Sequence, residues 1–103
     1  MFHLHVFYTA KDQETLNQFY NEVKKAGIIE ATHEEEGNIR YEYYFSAERD
    51  NEILIVEQWQ DRASQEYHDT LPHLVKLGEI KAKYEIETVI EEVRWKQNER
   101  IHF

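Results

Sequence analysis

Residues 2–8 alternate as a strand does, with Phe2, Leu4, Val6 and Tyr8 on one face and His3, His5 and Phe7 on the other. Both faces carry bulky side chains, so both are expected to be covered. Leu16, Phe19, Tyr20, Val23 and Ala26 then recur at helical spacing and form one apolar stripe. Thr9 with Asp12 fits a capping box, and Asp12 could itself be the N-cap; Gly27 suits the position just past the helix. Residues 38–46 and 53–60 read as two strands joined by the polar connector 47–52. The first places Ile39, Tyr41, Tyr43 and Phe45 opposite Arg40, Glu42, Tyr44 and Ser46. The second places Ile53, Ile55, Glu57 and Trp59 opposite Leu54 and Val56. Asp61 can cap a helix reaching about Thr70. Pro72, which lacks an amide donor, opens a second helix to about Ala82. A last strand is expected from about Tyr84 to Val93, its Glu85, Glu87 and Glu91 marking a wet face.

The order strand, helix, strand, strand, helical segment, strand predicts an α+β fold of the ferredoxin-like βαββαβ type, with a four-stranded antiparallel sheet. Helices in that arrangement cover one sheet face. A symmetric homodimer packing sheet on sheet would cover the other. At 103 residues the chain suits a single domain over 1–103, its core at about 2–93 and a tail at 94–103. Trp95, Ile101 and Phe103 in that tail are costly to leave in water, so the tail is expected to dock on its own domain or on a partner.

Charge narrows the partners. Twenty-one acidic residues against twelve basic ones give a formal net charge of −9. That balance argues against nucleic acid and against anionic membrane surfaces, both of which need a cationic footprint. The run Glu34-Glu35-Glu36 reads as a solvated loop. The chain has no cysteine, which removes disulfides, thiolate metal sites and thiol nucleophiles. No apolar run approaches the ~20 residues of a membrane span. Met1 leads directly into the first strand without an export-leader pattern, so the cytoplasm is the expected compartment.

With the elements placed, particular residues resemble the antibiotic biosynthesis monooxygenase family. Gly37-Asn38-Ile39-Arg40-Tyr41 looks like that family's glycine before an aromatic second strand, and Glu57-Gln58-Trp59 like its third-strand ending. Asp61, Ala63, His68, Pro72, His73 and Leu74 match the spacing of its helical segment. The likeness spans about residues 2–93 and implies a dimeric α/β barrel. It also implies a range of chemistries: cofactor-free oxygenases of polyphenols and quinols, haem-degrading enzymes and isomerases. The haem branch fits poorly. Around Leu77-Gly78-Glu79 the axial histidine is missing, and residues 1–10 hold no asparagine.

The resemblance makes His68 the acid–base candidate, and an imidazole of ordinary pKa near 6.5 suits removal of a phenolic proton. Trp59 and Glu57 share a strand face and are expected to serve beside it as catalytic-site residues, Trp59 by stacking on a flat substrate. A buried Glu57 must find a partner or carry a raised pKa. His73, Tyr44 and Tyr41 are the substrate-binding candidates. His3 and His5 could meet His68 or His73 at a metal, but the spacing matches no established metal motif, so neither metal nor cofactor is expected. The resulting expectation is a cofactor-independent monooxygenase acting on a small electron-rich aromatic such as a quinol. The alternatives are a cofactor-free isomerase of a small phosphorylated metabolite, for which Arg40 or Arg62 would supply the cation, and a non-catalytic ligand-binding dimer.

Overall fold

The computed structural model describes residues 1–94. The elements run β1 (Phe2–Thr9), α1 (Gln13–Lys25), α2 (Ile28–His33), β2 (Asn38–Phe45), β3 (Glu52–Trp59), α3 (Arg62–His68), α4 (Pro72–Lys83) and β4 (Glu87–Val93). The strands form one antiparallel sheet in the order β2-β3-β1-β4. This is the ferredoxin-like α+β arrangement expected from the pattern. Trp95, Ile101 and Phe103 lie outside the described residues.

Local chemistry accounts for most boundaries. Asp12 is the N-cap of α1, accepting from the Thr15 amide at 2.8 Å, and Asp61 does the same for α3 through Ser64 at 2.8 Å. Gly27 ends α1 at φ 71°, a conformation that costs an L-residue about 1–2 kcal/mol. Three expectations are corrected. The short helix α2 was not expected; it buries Ile28 and Thr32, and the Thr32 hydroxyl donates back to the Ile28 carbonyl at 2.9 Å. Ile39 does not continue the face of Tyr41, because a bulge between Asn38 and Arg40 leaves it as the extra residue. The last strand starts at Glu87 and not at Tyr84. Tyr84 caps α4 and Glu85 adopts φ 53°, while the Ile86 amide donates to the Lys81 carbonyl and the Glu85 amide to that of Ala82. That pair of bonds is a Schellman motif with a glutamate at the position glycine usually takes.

The helices cover one face of the sheet. Leu4, Val6 and Tyr8 of β1 and Ile53 and Ile55 of β3 pack there against Leu16, Phe19, Val23, Ile28, Leu77 and Ile80. Tyr8 meets Phe19 edge-on at 5.6 Å between ring centroids. Strand alternation sends His3, His5, Phe7, Leu54, Val56, Tyr44 and Val89 to the opposite face. No helix in the described residues is long and apolar enough to cross a membrane.

Candidate functional site

Three elements bring the candidate residues together on the helix side of the sheet. Strand β3 presents Glu57 and Trp59, β2 presents Tyr41, and His68 closes the last turn of α3. His68 is only 2% exposed. Its ring lies 4.7 Å from Trp59 and 5.8 Å from Tyr41, centroid to centroid. These neighbours fix the plane of the imidazole.

The group that fixes its proton is Glu35, from the loop after α2. One carboxylate oxygen, Oε2, sits 2.6 Å from His68 Nδ1 and 2.7 Å from His73 Nε2. A carboxylate oxygen accepts, so both ring nitrogens carry their protons toward it. The Glu35 side chain is 8% exposed, which overturns the expectation that residues 34–36 are all solvated. Its second oxygen, Oε1, is buried with no hydrogen-bond partner. Burial holds the His68 imidazolium pKa below its ordinary value, with the Glu35 bond opposing that shift.

Glu57 is 7% exposed and accepts from Trp59 Nε1 at 3.0 Å. Burial pushes its pKa up from 4.5 to about 7, with the indole bond opposing and the Asp69 and Glu35 charges adding to the rise. Both outcomes expected of a buried Glu57 occur together. Tyr41 is buried and its hydroxyl lies 3.2 Å from that of Tyr43; burial raises both phenols, so Tyr41 stays neutral.

Between α3, α4 and the sheet lies a cavity of about 150 Å³. Glu57, His68 and Tyr41 line it, together with Gln65 and Asp69 of the α3 segment, Lys81 of α4 and Thr88 of β4. The Thr88 hydroxyl is buried without a partner. Lys81 is held over the Tyr8 ring at 4.8 Å, and burial lowers its pKa. A larger groove of about 680 Å³ lies at the β2–β3 turn among Gln13, Asn17 and residues 45–51, and it holds none of these groups.

The other candidates fall elsewhere. Trp59 does not line the cavity; it is fully buried against the His68 ring, with its indole N–H on Glu57. His73 is likewise absent from the cavity wall and donates to the same Glu35 oxygen as His68. Tyr44 is on the opposite face of the sheet, 41% exposed, its hydroxyl accepting from Arg40 at 2.7 Å. His3 and His5 also point to that opposite face and do not meet His68 or His73. Arg40 is bound to Glu42 and Tyr44, and Arg62 to Glu92 at 2.7 Å, so neither supplies the cavity's cation; Lys81 does. Sequence spacing could have found part of this wall. Gln65, His68 and Asp69 stand at i, i+3 and i+4, and Leu74, Leu77, Gly78 and Lys81 repeat the pattern on the next helix. Glu35 had no such signal.

The antiparallel sheet with its helices on one side places the chain in the ferredoxin-like class of α+β proteins, with His68 and Glu57 at a small cavity under the helices. Within that class, this chain belongs to the antibiotic biosynthesis monooxygenase family, whose sequence model matches residues 1–78. It is similar to a conserved protein from Methanosarcina mazei Go1 at 28% identity, covering 93% of this chain and 95% of that one with a TM-score of 0.77. The fold is shared with a candidate antibiotic biosynthesis monooxygenase from Deinococcus radiodurans, at 18% identity, full coverage of both chains and a TM-score of 0.84. A possible oxidoreductase of unknown function from Bacteroides thetaiotaomicron VPI-5482 matches at 21% identity, covering 91% of this chain and 96% of that one, with a TM-score of 0.79. No curated protein matches the chain.

Proposed function

We propose that this protein is a cofactor-independent monooxygenase acting on a small, electron-rich aromatic such as a quinol, with His68 as the base. The observation that carries the reading is the Glu35–His68 pair at the cavity. With its Nδ1 proton held by Glu35, the ring keeps its basic lone pair on Nε2. The lowered pKa keeps the ring neutral near pH 7 and ready to accept a proton. A cavity of about 150 Å³ matches a single benzene-sized ring. His68 takes a phenolic proton and the resulting anion reduces dioxygen itself. One oxygen atom enters the ring and the other leaves as water, so a quinol and dioxygen give a hydroxyquinone and water. Glu57, poised near neutral pH, takes and returns a proton, and Tyr41 and the unpartnered Thr88 hydroxyl bind substrate oxygens. Trp59 braces His68, and His73 holds Glu35 in place.

A homodimer in a cytoplasmic setting belongs to the same reading. The sheet face opposite the helices carries Phe7, Leu54, Val56 and Val89, with Val89 57% exposed, and a second copy would bury them. One observation favours a second reaction. Lys81 at the cavity would receive an anionic group, as a cofactor-free isomerase of a small phosphorylated metabolite requires.

Oxygen uptake with a panel of reduced quinols and polyphenols, corrected for autoxidation, tests the proposal in wild type and His68→Ala. Saturable uptake that disappears in a folded His68→Ala supports it. Uptake unchanged by the substitution removes His68 as the base, and no uptake across the panel sinks the oxygenase reading in favour of the isomerase or of ligand binding without turnover.

A further inference from the structure

We propose that Glu35, His68 and His73 form a binding site for one divalent first-row transition-metal ion. Two imidazoles and one carboxylate offer one ligand atom each, and these atoms all lie within 4.8 Å of one another. Donors bound to one ion at about 2.0–2.2 Å stand about 3–3.5 Å apart in tetrahedral or cis-octahedral coordination, so closing on a metal asks for side-chain shifts of about an ångström. Two histidines with one carboxylate, leaving positions open, is a donor set that suits iron(II), zinc, cobalt or copper and not calcium or magnesium.

Three further observations point the same way. Glu35 Oε1 is buried without a donor, which leaves an oxygen stripped of water and unsatisfied. A cation at this carboxylate would satisfy it. The His68 ring is already held by Trp59 and Tyr41, so little ordering remains to be done on binding. Finally, Glu35 lines an open groove of about 510 Å³ with Gln60, Asp61, Ser64 and Tyr67, so the residue that joins the two rings borders solvent. The backbone explains how residues five apart in sequence converge. On an unbroken helix His68 and His73 would point about 140° apart, at 100° per residue. The turn at Thr70-Leu71 and the restart at Pro72 bring their rings to 6.0 Å.

The site rests on this cluster and not on the oxygenase reading, but it touches it. A metal on His68 Nδ1 obliges the neutral ring to carry its proton on Nε2. The loaded protein then presents a donor to the cavity where the free protein presents a base. Metal occupancy and base catalysis by His68 therefore exclude one another.

The test needs no substrate. Chelator-stripped protein is titrated with cobalt(II), read by visible absorption, and with zinc(II), read by calorimetry. The expected result is one ion per chain, with affinity falling at least ~10-fold in His73→Gln and in Glu35→Gln and unchanged in His5→Gln, which lies on the opposite sheet face. Absence of binding by the folded wild type, or equal binding in His73→Gln, overturns the proposal. Should a site variant fail to fold, zinc titration of the wild type by imidazole NMR decides. Shifts confined to His68 and His73 support the site, and shifts at His3, His5, His33 or His102 instead overturn it.

Discussion

Replacing Glu57 with glutamine isolates the energetic cost of a buried carboxyl. Glu57 is raised from an ordinary 4.5 to about 7 chiefly by burial, so the folded state prefers its neutral form. A group raised in this way contributes stability that is fully present below pH 4.5 and is lost as pH climbs through 7. At about 1.4 kcal/mol per pH unit, the full loss is about 3 kcal/mol, of which about 2.5 kcal/mol falls between pH 5 and pH 8. Glutamine has no charge to desolvate, and its Oε1 can accept the same Trp59 Nε1 proton. Glu57→Gln is therefore expected to be within about 1 kcal/mol of wild type at pH 5 and more stable by about 2–3 kcal/mol at pH 8. The lowered pKa of His68 acts in the opposite direction, removing stability as pH falls below 6.5, but it is common to both proteins and cancels in the difference. Urea unfolding at pH 5, 6, 7 and 8, at one protein concentration, measures that difference. A gap that does not widen with pH would refute the assignment of the raised pKa to Glu57.

Three other outcomes follow from the backbone and the sheet. A Cβ on Gly37 would sit 2.4 Å from the Ser64 hydroxyl at φ 88°, whereas one on Gly27 meets nothing closer than 3.8 Å at φ 71°. Chemical denaturation should show Gly27→Ala losing about 1–2 kcal/mol and Gly37→Ala losing distinctly more. Glu85→Gly relieves a left-handed glutamate in the Schellman turn and should raise thermal stability by about 1 kcal/mol; a lower melting temperature would deny that strain. Sedimentation at micromolar concentration should give twice the 12.6 kDa chain mass, and a species of 12.6 kDa alone would dismiss the dimer.

The fold was legible because its signals are local and redundant. The alternation of β1, the stripe Leu16-Phe19-Val23, the aspartate caps and the restart at Pro72 each specify one element, and they agree with one another. The departures arose where a short segment is decided by its packing. Six residues of α2 carry too little periodicity to stand out, a bulge shifts Ile39 by one place, and a glutamate occupies a turn position whose usual mark is glycine. The site was legible only in part. His68, Glu57 and Tyr41, candidates from the sequence, line one cavity. Glu35 was not a candidate, because three consecutive glutamates look alike to any pattern in charge. Only the geometry of two distant helices separates the buried member from its exposed neighbours Glu34 and Glu36. Trp59 was placed on the right strand face, but depth along that face, which buries it against His68, is not encoded in alternation.

The oxygen that joins two rings also ties the chemistry to the order of assembly. Glu35 Oε2 reaches across 33 residues to His68 and 38 to His73, and the two histidines sit on separate helices. The arrangement needs three separate segments in place at once, the loop after α2, the end of α3 and the start of α4. A partly folded chain therefore carries all the reactive side chains and none of their organisation. Protection of the His68 and His73 ring protons from exchange would therefore report that the α2–β2 loop, α3 and α4 have come to rest together.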